Sequence, residues 1–84
     1  MTVRIFGRLR KAFATDSVIL EASTVGEALG LLRARLDEHD PEAQAMLDRA
    51  VVLVNGRNVG VLAGDETALG PDDEMTVLQQ VAGG

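Results

Sequence analysis

One stretch decides the fold of this chain: STVGEALGLLRARL, residues 23–36. Thr24, with Glu27 three residues later, has the spacing of a capping box, which predicts that a helix begins here. Apolar residues then recur at helical spacing and form a single stripe: Val25, Ala28, Leu29, Leu32 and Leu36. Pro41 disfavours helical geometry in the residue before it, so we expect the helix to end at residues 39–40. The apolar stripe requires a second element to cover it.

Two strands are predicted before this helix. Residues 2–9 alternate, which is the period-2 pattern of a half-buried strand. One face carries Val3, Ile5 and Leu9, and the other carries Thr2, Arg4, Phe6 and Arg8. Ala14-Thr15-Asp16 is typical of a turn and residues 17–21 of a second strand, so the short spacing predicts a hairpin.

The sequence after the helix predicts a short helix and more strands. Pro41 can open a second helix through Leu47. Residues 51–54 are β-branched or apolar and predict a strand, and Asn55-Gly56 behind them is a strong signal for a tight turn. The remaining predictions are a return strand over 59–62, a loop over 64–69 with one helical turn as an alternative, a turn over 70–73 and a last strand over 74–81.

The predicted order is strand, strand, helix, short helix, strand, short strand, strand. A helix that follows a hairpin and packs across a mixed sheet is an α+β arrangement. This order matches the β-grasp, or ubiquitin-like, fold with one main helix. We assign residues 1–80 to this domain and expect residues 81–84 to form a flexible tail.

Composition excludes several classes of protein. The 84 residues include no cysteine, so disulfides, thiolate metal sites and a cysteine nucleophile are ruled out. The net charge of −5 and the presence of only two aromatic residues, Phe6 and Phe13, argue against nucleic-acid binding. There is no signal-peptide pattern and no apolar stretch near the roughly 20 residues that span a bilayer. We therefore expect a cytoplasmic protein without a membrane partner.

No catalytic or metal-binding set can be assembled from the side chains. His39 is the only histidine and lies at the predicted end of the main helix. It stands among Asp37, Glu38 and Asp40, but successive residues point in different directions around a helix end, whereas a metal needs converging ligands. We expect no metal site and no bound cofactor.

The chain ends in Val81-Ala82-Gly83-Gly84. Glycine lacks Cβ and allows a backbone to pass through a narrow channel. Two terminal glycines directly after a predicted strand would form a thin leader that ends in an unhindered carboxylate. Such a carboxylate can attack the α-phosphate of ATP within the active site of another protein.

With these features the chain resembles the MoaD/ThiS sulfur carriers, which are prokaryotic relatives of ubiquitin. The resemblance covers the whole chain and includes the helix start Thr24-Val25-Gly26-Glu27-Ala28-Leu29 and the terminal glycines. The helix start and the length favour the MoaD branch, the small subunit of molybdopterin synthase. Gln79 and Gln80 stand where MoaD chains commonly carry a proline pair.

The resemblance implies a mechanism in which the carrier is not the catalyst. An adenylating enzyme of the MoeB/ThiF type would activate Gly84 with ATP and magnesium. A persulfide donor would then supply sulfur and leave a C-terminal thiocarboxylate, while Val81, Ala82 and Gly83 thread the partner's site. In the MoaD case, a MoaE-type large subunit receives the sulfur for the molybdopterin precursor.

Three alternatives remain open at this point. The sulfur could go to thiamine or to another biosynthetic product. The same carboxylate could form isopeptide bonds with lysines, and Lys11, the single lysine of the chain, would be the only site for self-chains. The domain could also be a plain β-grasp interaction module.

Strand alternation also predicts a partner-binding patch. If Val3 and Ile5 face the helix, Phe6 faces outward, and the same reasoning places Leu53 and Leu78 on the outer face. Contiguous exposed apolar residues tend to mark interaction sites. Ubiquitin-like proteins present an apolar patch on this face of the sheet, so the resemblance implies that Phe6, Leu53 and Leu78 dock partners.

Overall fold

A computed structural model describes residues 1–79 of the chain. Within this range the helices are α1 (Leu9–Phe13), α2 (Val25–Arg33) and α3 (Pro41–Asp48). The strands are β1 (Thr2–Ile5), β2 (Ser17–Ile19), β3 (Val51–Val54), β4 (Arg57–Asn58) and β5 (Glu74–Leu78). Two short 3-10 turns, Val59–Val61 and Gly64–Glu66, lie between β4 and β5.

The five strands form one mixed sheet in the order β2-β1-β5-β3-β4. The last strand lies in the centre, parallel to β1 and antiparallel to β3. The remaining pairs, β1 with β2 and β3 with β4, are antiparallel. Because β1 and β5 run in the same direction, the C-terminal end of β5 emerges beside the loop that follows β1.

Alternate residues of the three central strands face the helices and make one core with them. The strand residues of this core are Val3, Ile5, Val52, Val54, Met75 and Val77, all 6% exposed or less. From α2 the same core receives Val25, Ala28 and Leu32, which are fully buried. The fold class predicted from the order of elements, an α+β β-grasp arrangement, is therefore confirmed.

The start of α2 follows the sequence pattern, but its end does not. The hydroxyl of Thr24 accepts a hydrogen bond from the backbone N–H of Glu27 at 3.2 Å, as a helix N-cap does. The helix ends at Arg33 rather than near His39. The side chain of Asp37 accepts a hydrogen bond from the N–H of His39 at 2.8 Å, a local alternative to helical bonding. His39 therefore lies in the connection before α3.

The prediction of one strand over residues 2–9 is wrong beyond Ile5. Gly7 has a φ of +73°, which takes the chain out of the strand, and Leu9 opens α1 instead. Leu9 is fully buried, as predicted, but it reaches the core from a helix. Period-2 spacing from Ile5 to Leu9 is equally a four-residue helical spacing, so the apolar pattern alone could not separate the two.

The other strand boundaries are shorter than the sequence suggested. Strand β2 ends at Ile19 and β5 at Leu78, and the return strand is Arg57–Asn58 rather than residues 59–62. The Asn58 side chain accepts a hydrogen bond from the N–H of Gly60 at 2.8 Å and so begins a 3-10 turn. The predicted turn at Asn55-Gly56 is confirmed, because both residues have positive φ, as a two-residue hairpin turn requires.

Candidate functional site

The predicted reactive end, Gly84, lies outside the described residues, together with Val81, Ala82 and Gly83. The structure does define the point from which this end departs. That point is Gln79, the first residue after the central strand β5 and five residues before Gly84. The candidate site is therefore the surface around Gln79.

The loop after β1 holds Gln79 in place. The backbone N–H of Arg8 donates a hydrogen bond to the side-chain oxygen of Gln79 at 3.1 Å. A Cβ on Gly7 would lie 3.2 Å from the Cβ of Gln79 and 3.3 Å from its amide oxygen. Gly7 thus meets two needs at once, since its φ is positive and its missing side chain leaves room for Gln79. Sequence reasoning missed this contact, because only the parallel pairing of β1 with β5 brings the two residues together.

The outer face of the sheet carries apolar residues next to this point. The register pairs Ile5 with Val77, and the N–H of Phe6 donates to the carbonyl of Val77 at 3.0 Å, so Phe6 lies beside Leu78 at the end of the two strands. The side chain of Phe6 is 45% exposed, and that of Leu78 is partly exposed. On the other side of β5, Leu78 pairs with Val51.

Leu53, the third predicted patch residue, pairs with Thr76 one row further from the tail. It is partly exposed on the same face as Leu78, because its neighbours Val52 and Val54 are buried. The structure thus brings Phe6 and Leu78 together and places Leu53 near them. The sequence analysis did not include Val51, although it lies two residues before Leu53 and therefore on the same face of β3. We call Phe6, Val51, Leu53 and Leu78 the outer apolar patch.

An ion pair borders this patch on the same face. The Nε of Arg4 lies 3.0 Å from a carboxylate oxygen of Glu74, and both side chains are about half exposed. An exposed pair of this kind is worth at most about 1 kcal/mol. Its effect is local, since it neutralises charge beside the patch.

A basic cavity that is widely open to solvent adjoins Gln79 and the loop after β1. It has a volume of about 660 Å³ and is lined by Gly7, Arg8, Arg10, Lys11, Thr15, Asp16 and Gln79. Its cations come from the α1 region, which sequence analysis took for the end of a strand. The charge cluster was visible in the sequence as RLRK, residues 8–11, but its position next to Gln79 was not.

The opposite end of β5 is held by a carboxylate. Asp73 accepts hydrogen bonds from the N–H of Gly70 at 2.7 Å and from the side-chain amide of Asn55 at 2.9 Å. These bonds, that from Gly70 first, favour the ionised form and hold the pKa of Asp73 below its ordinary value of 3.8. Asp73 therefore ties the turn before β5 to the hairpin after β3, and its role is structural.

Other chemistry is sparse in the part of the chain that the structure describes. No three histidine, cysteine, aspartate or glutamate side chains among residues 1–79 converge as a metal site. His39 is exposed, with its Nε2 3.7 Å from a carboxylate oxygen of Glu38. No helix within the same range is long and apolar enough to cross a membrane.

The fold defines a class of protein, the β-grasp or ubiquitin-like domains. Comparison with known families places the chain more closely: residues 3–84 match the model of the ThiS family. The chain belongs to the ThiS family, which comprises ubiquitin-like sulfur carriers and modifiers. It is thus a carrier and not a catalyst. A comparison with curated protein sequences gives no match.

Solved structures agree with this assignment. A chain of the BexX/CysO complex of Amycolatopsis orientalis is 30% identical, with a TM-score of 0.77 over 99% of this chain and 98% of that one. The small archaeal modifier protein 1 of Methanosarcina acetivorans is 26% identical, with a TM-score of 0.76 over 99% and 94%. A third match is a chain of the complex of subunits 1 and 2 of the molybdopterin-converting factor from Helicobacter pylori. It is 22% identical, with a TM-score of 0.68 over 99% of this chain and 96% of that one, and it shows the shared fold alone.

Proposed function

We propose that this chain carries sulfur as a thiocarboxylate on Gly84 and delivers it to the molybdopterin precursor. The carboxylate of Gly84 attacks the α-phosphate of ATP in a MoeB/ThiF-type enzyme, which uses magnesium, and forms an acyl-adenylate with release of pyrophosphate. The outer sulfur of a persulfide donor then attacks the acyl carbon and displaces AMP, which leaves an acyl disulfide. A second thiol of the partner cleaves its S–S bond, which releases the thiocarboxylate of Gly84 and leaves a disulfide on the partner. A MoaE-type subunit receives the sulfur, and the whole sequence runs in the cytoplasm.

One observation carries this proposal. In a chain of the ThiS family, the segment that contains the terminal glycines follows the central strand β5, and Gln79, the first residue after β5, is held by the loop after β1. Gln79 is thus the root of the tail, and its contacts give a partner a defined surface beside which to bind the tail. The carrier then needs no catalytic side chain of its own, because the partner supplies the chemistry.

The patch residues have a defined part in this proposal. Phe6, Leu53 and Leu78, with Val51, form the surface on which the activating and accepting enzymes dock while Val81, Ala82 and Gly83 thread their active sites. Support comes from the register of β1, β3 and β5, which places the patch beside Gln79. A surface next to the root lets one partner hold the domain and the tail together.

The choice of molybdopterin over thiamine rests on the sequence. The helix start at Thr24-Val25 with Glu27-Ala28-Leu29 is similar to that of MoaD proteins. The deciding experiment supplies the thiocarboxylated chain to the MoaE-type subunit of the same organism with the molybdopterin precursor. Formation of molybdopterin supports the assignment, whereas thiazole formation with the thiamine enzymes would move the chain to that pathway.

Carriage of sulfur is tested by intact mass. The chain isolated from its native cells should include a species about 16 Da heavier, as expected when sulfur replaces one oxygen. Deletion of Gly84 should remove that species and abolish ATP–pyrophosphate exchange with the adenylating enzyme. Normal exchange by the deletion variant would show that the role given to Gly84 is wrong.

Protein modification is the second candidate, and the likeness to small archaeal modifier protein 1 favours it. In that case the activated Gly84 would form isopeptide bonds with lysines of other proteins. An N-terminally tagged chain should then give high-mass bands on denaturing gels, and these should vanish when Gly84 is deleted. Absence of such bands in cells that contain the heavier species would leave sulfur transfer as the function.

A further inference from the structure

Charge is unevenly distributed along this acidic chain. Residues 1–16 contain four of the eight basic residues and only one of the thirteen acidic residues. The rest of the chain is therefore more acidic than the net charge of −5 indicates. Such segregation creates a local positive potential on a molecule that repels polyanions overall.

The folded structure concentrates three of these cations around the root of the tail. Arg8, Arg10 and Lys11 line the cavity of about 660 Å³, which is widely open to solvent and is also lined by Gln79. All three side chains are exposed. Arg8 has only a distant partner, Glu42 at 3.8 Å. Within residues 1–79, neither Arg10 nor Lys11 forms an ion pair.

We propose that this basic cavity binds acidic side chains of the enzyme that adenylates Gly84. The inference rests on the proposed function, since it assigns a second contact to the same partner. The cavity shares Gln79 with the root of the tail, and Phe6 of the outer apolar patch directly precedes Gly7 in its wall. Patch, root and cavity are thus contiguous, so one partner surface can cover all three.

Carboxylates of a protein fit this cavity better than other anions. The three cations are exposed and spread along a loop and a short helix, and none is buried as in a dedicated phosphate site. Asp16 lines the same cavity and would repel a compact, multiply charged anion. The acidic remainder of the chain opposes nucleic acid. Separate carboxylates on a partner loop can meet the cations one by one and avoid Asp16.

The test is ATP–pyrophosphate exchange with the MoeB/ThiF-type enzyme of the same organism, measured over a range of carrier concentrations. The double variant Arg10→Glu/Lys11→Glu should raise the KM for the carrier by about tenfold and leave kcat unchanged, because a rim charge acts on encounter and docking. The matched control is Arg35→Glu/Arg57→Glu, which has the same net charge but reverses exposed arginines away from the cavity. The control should keep the wild-type KM within about twofold.

Reversal of charge could also weaken α1, because Arg10 and Lys11 lie in its last turn. The milder variant Arg10→Gln/Lys11→Gln therefore accompanies it, with thermal unfolding measured for both. A smaller rise in KM at an unchanged unfolding temperature supports the inference. If both cavity variants match the control, the inference is wrong while exchange by the wild-type chain still supports the proposed function. If the wild-type chain gives no exchange, the inference and the proposed function are both wrong.

A free anion is the competing occupant, and a separate probe identifies it. Inorganic phosphate is titrated into the full ¹⁵N-labelled chain and followed by the amide shifts of residues 7–16. Saturation with a Kd of about 1 mM or tighter would show a phosphate site and overturn the assignment to protein carboxylates. Linear, unsaturated shifts are the result expected for a docking surface.

Discussion

At the scale of single residues, the contact between Gly7 and Gln79 joins the sequence most directly to the site. A positive φ of +73° and a Cβ position 3.2 Å from the Cβ of Gln79 both favour glycine at position 7. The hydrogen bond from Arg8 to the Gln79 side chain then places the residue from which the tail departs.

The substitution Gly7→Ala tests this contact. We expect it to lower the free energy of unfolding by about 1–3 kcal/mol, because alanine must adopt a left-handed conformation and meets Gln79. Chemical denaturation measures the change. Gly30→Ala is the control: it lies in α2 with no atom within 4 Å of the added Cβ, so it should stabilise the protein by about 0.5–1 kcal/mol. Equal effects at the two positions would refute the close approach.

Asp73 makes the stability depend on pH. Its folded-state pKa is lowered by the hydrogen bonds from Gly70 and Asn55, so the ionised form stabilises the fold above the ordinary pKa of 3.8. This contribution is lost as the pH falls through the lowered value. Asp73→Asn should therefore weaken the acid dependence of unfolding, measured by denaturation between about pH 2 and 7. Asp72→Asn, at the exposed neighbour, should retain the wild-type dependence, and identical curves for all three proteins would exclude this role.

At the scale of elements, the central position of β5 decides which residues surround Gln79. Strand β5 pairs in parallel with β1 and in antiparallel with β3, so its end is flanked by residues from two distant parts of the chain. Phe6 comes from the end of β1 and Val51 from the start of β3. The outer apolar patch is therefore a property of strand order and register, not of any one strand.

The substitution Leu78→Glu tests the patch. Leu78 lies on the outer face, so the change should alter thermal unfolding little, but it should weaken binding to the adenylating enzyme by about 2 kcal/mol or more, the scale of an interface hot spot. Calorimetric titration measures the binding. Ile19→Glu is the control, since Ile19 is 77% exposed on the edge strand β2. Global unfolding of the Leu78→Glu variant would show that Leu78 is a core residue and that the outer apolar patch does not exist.

At the scale of the whole molecule, one core supports the entire surface described above. The sheet and the helices bury their apolar residues in a single cluster. A domain of this size buries only about 60–65% of the surface of its unfolded chain, so it has little stability to spare. A substitution that destabilises any part of the core should therefore also free Gln79 from its contacts with Gly7 and Arg8.

The pair Leu32 and Leu31 tests this dependence. Leu32 is fully buried and Leu31 is 39% exposed, although they are neighbours in α2. Leu32→Ala should cost about 2–5 kcal/mol of unfolding free energy, whereas Leu31→Ala should cost less than about 1 kcal/mol. Denaturation curves give both values. A similar loss at both positions would mean that α2 packs with a different face.

The sequence determined the local features that need only near neighbours. Thr24 and Glu27 began α2, Asn55-Gly56 formed the tight turn, and alternation identified the buried faces of β3 and β5. These signals are readable because capping, turn geometry and strand pleating act over a few residues. The terminal glycines, which carry the proposed chemistry, are likewise a local feature of the sequence.

Only the tertiary structure decided what lies around the root of the tail. The alternating pattern predicted a strand from residue 2 to Leu9, across Gly7. The structure ends the strand before Gly7 and begins α1 at Leu9, because the spacing of apolar residues reveals neither a positive φ nor a helix of five residues. The bond between Arg8 and Gln79 joins residues 71 positions apart. Its formation depends on parallel pairing of the first and last strands, which burial of the whole core selects and no local pattern encodes.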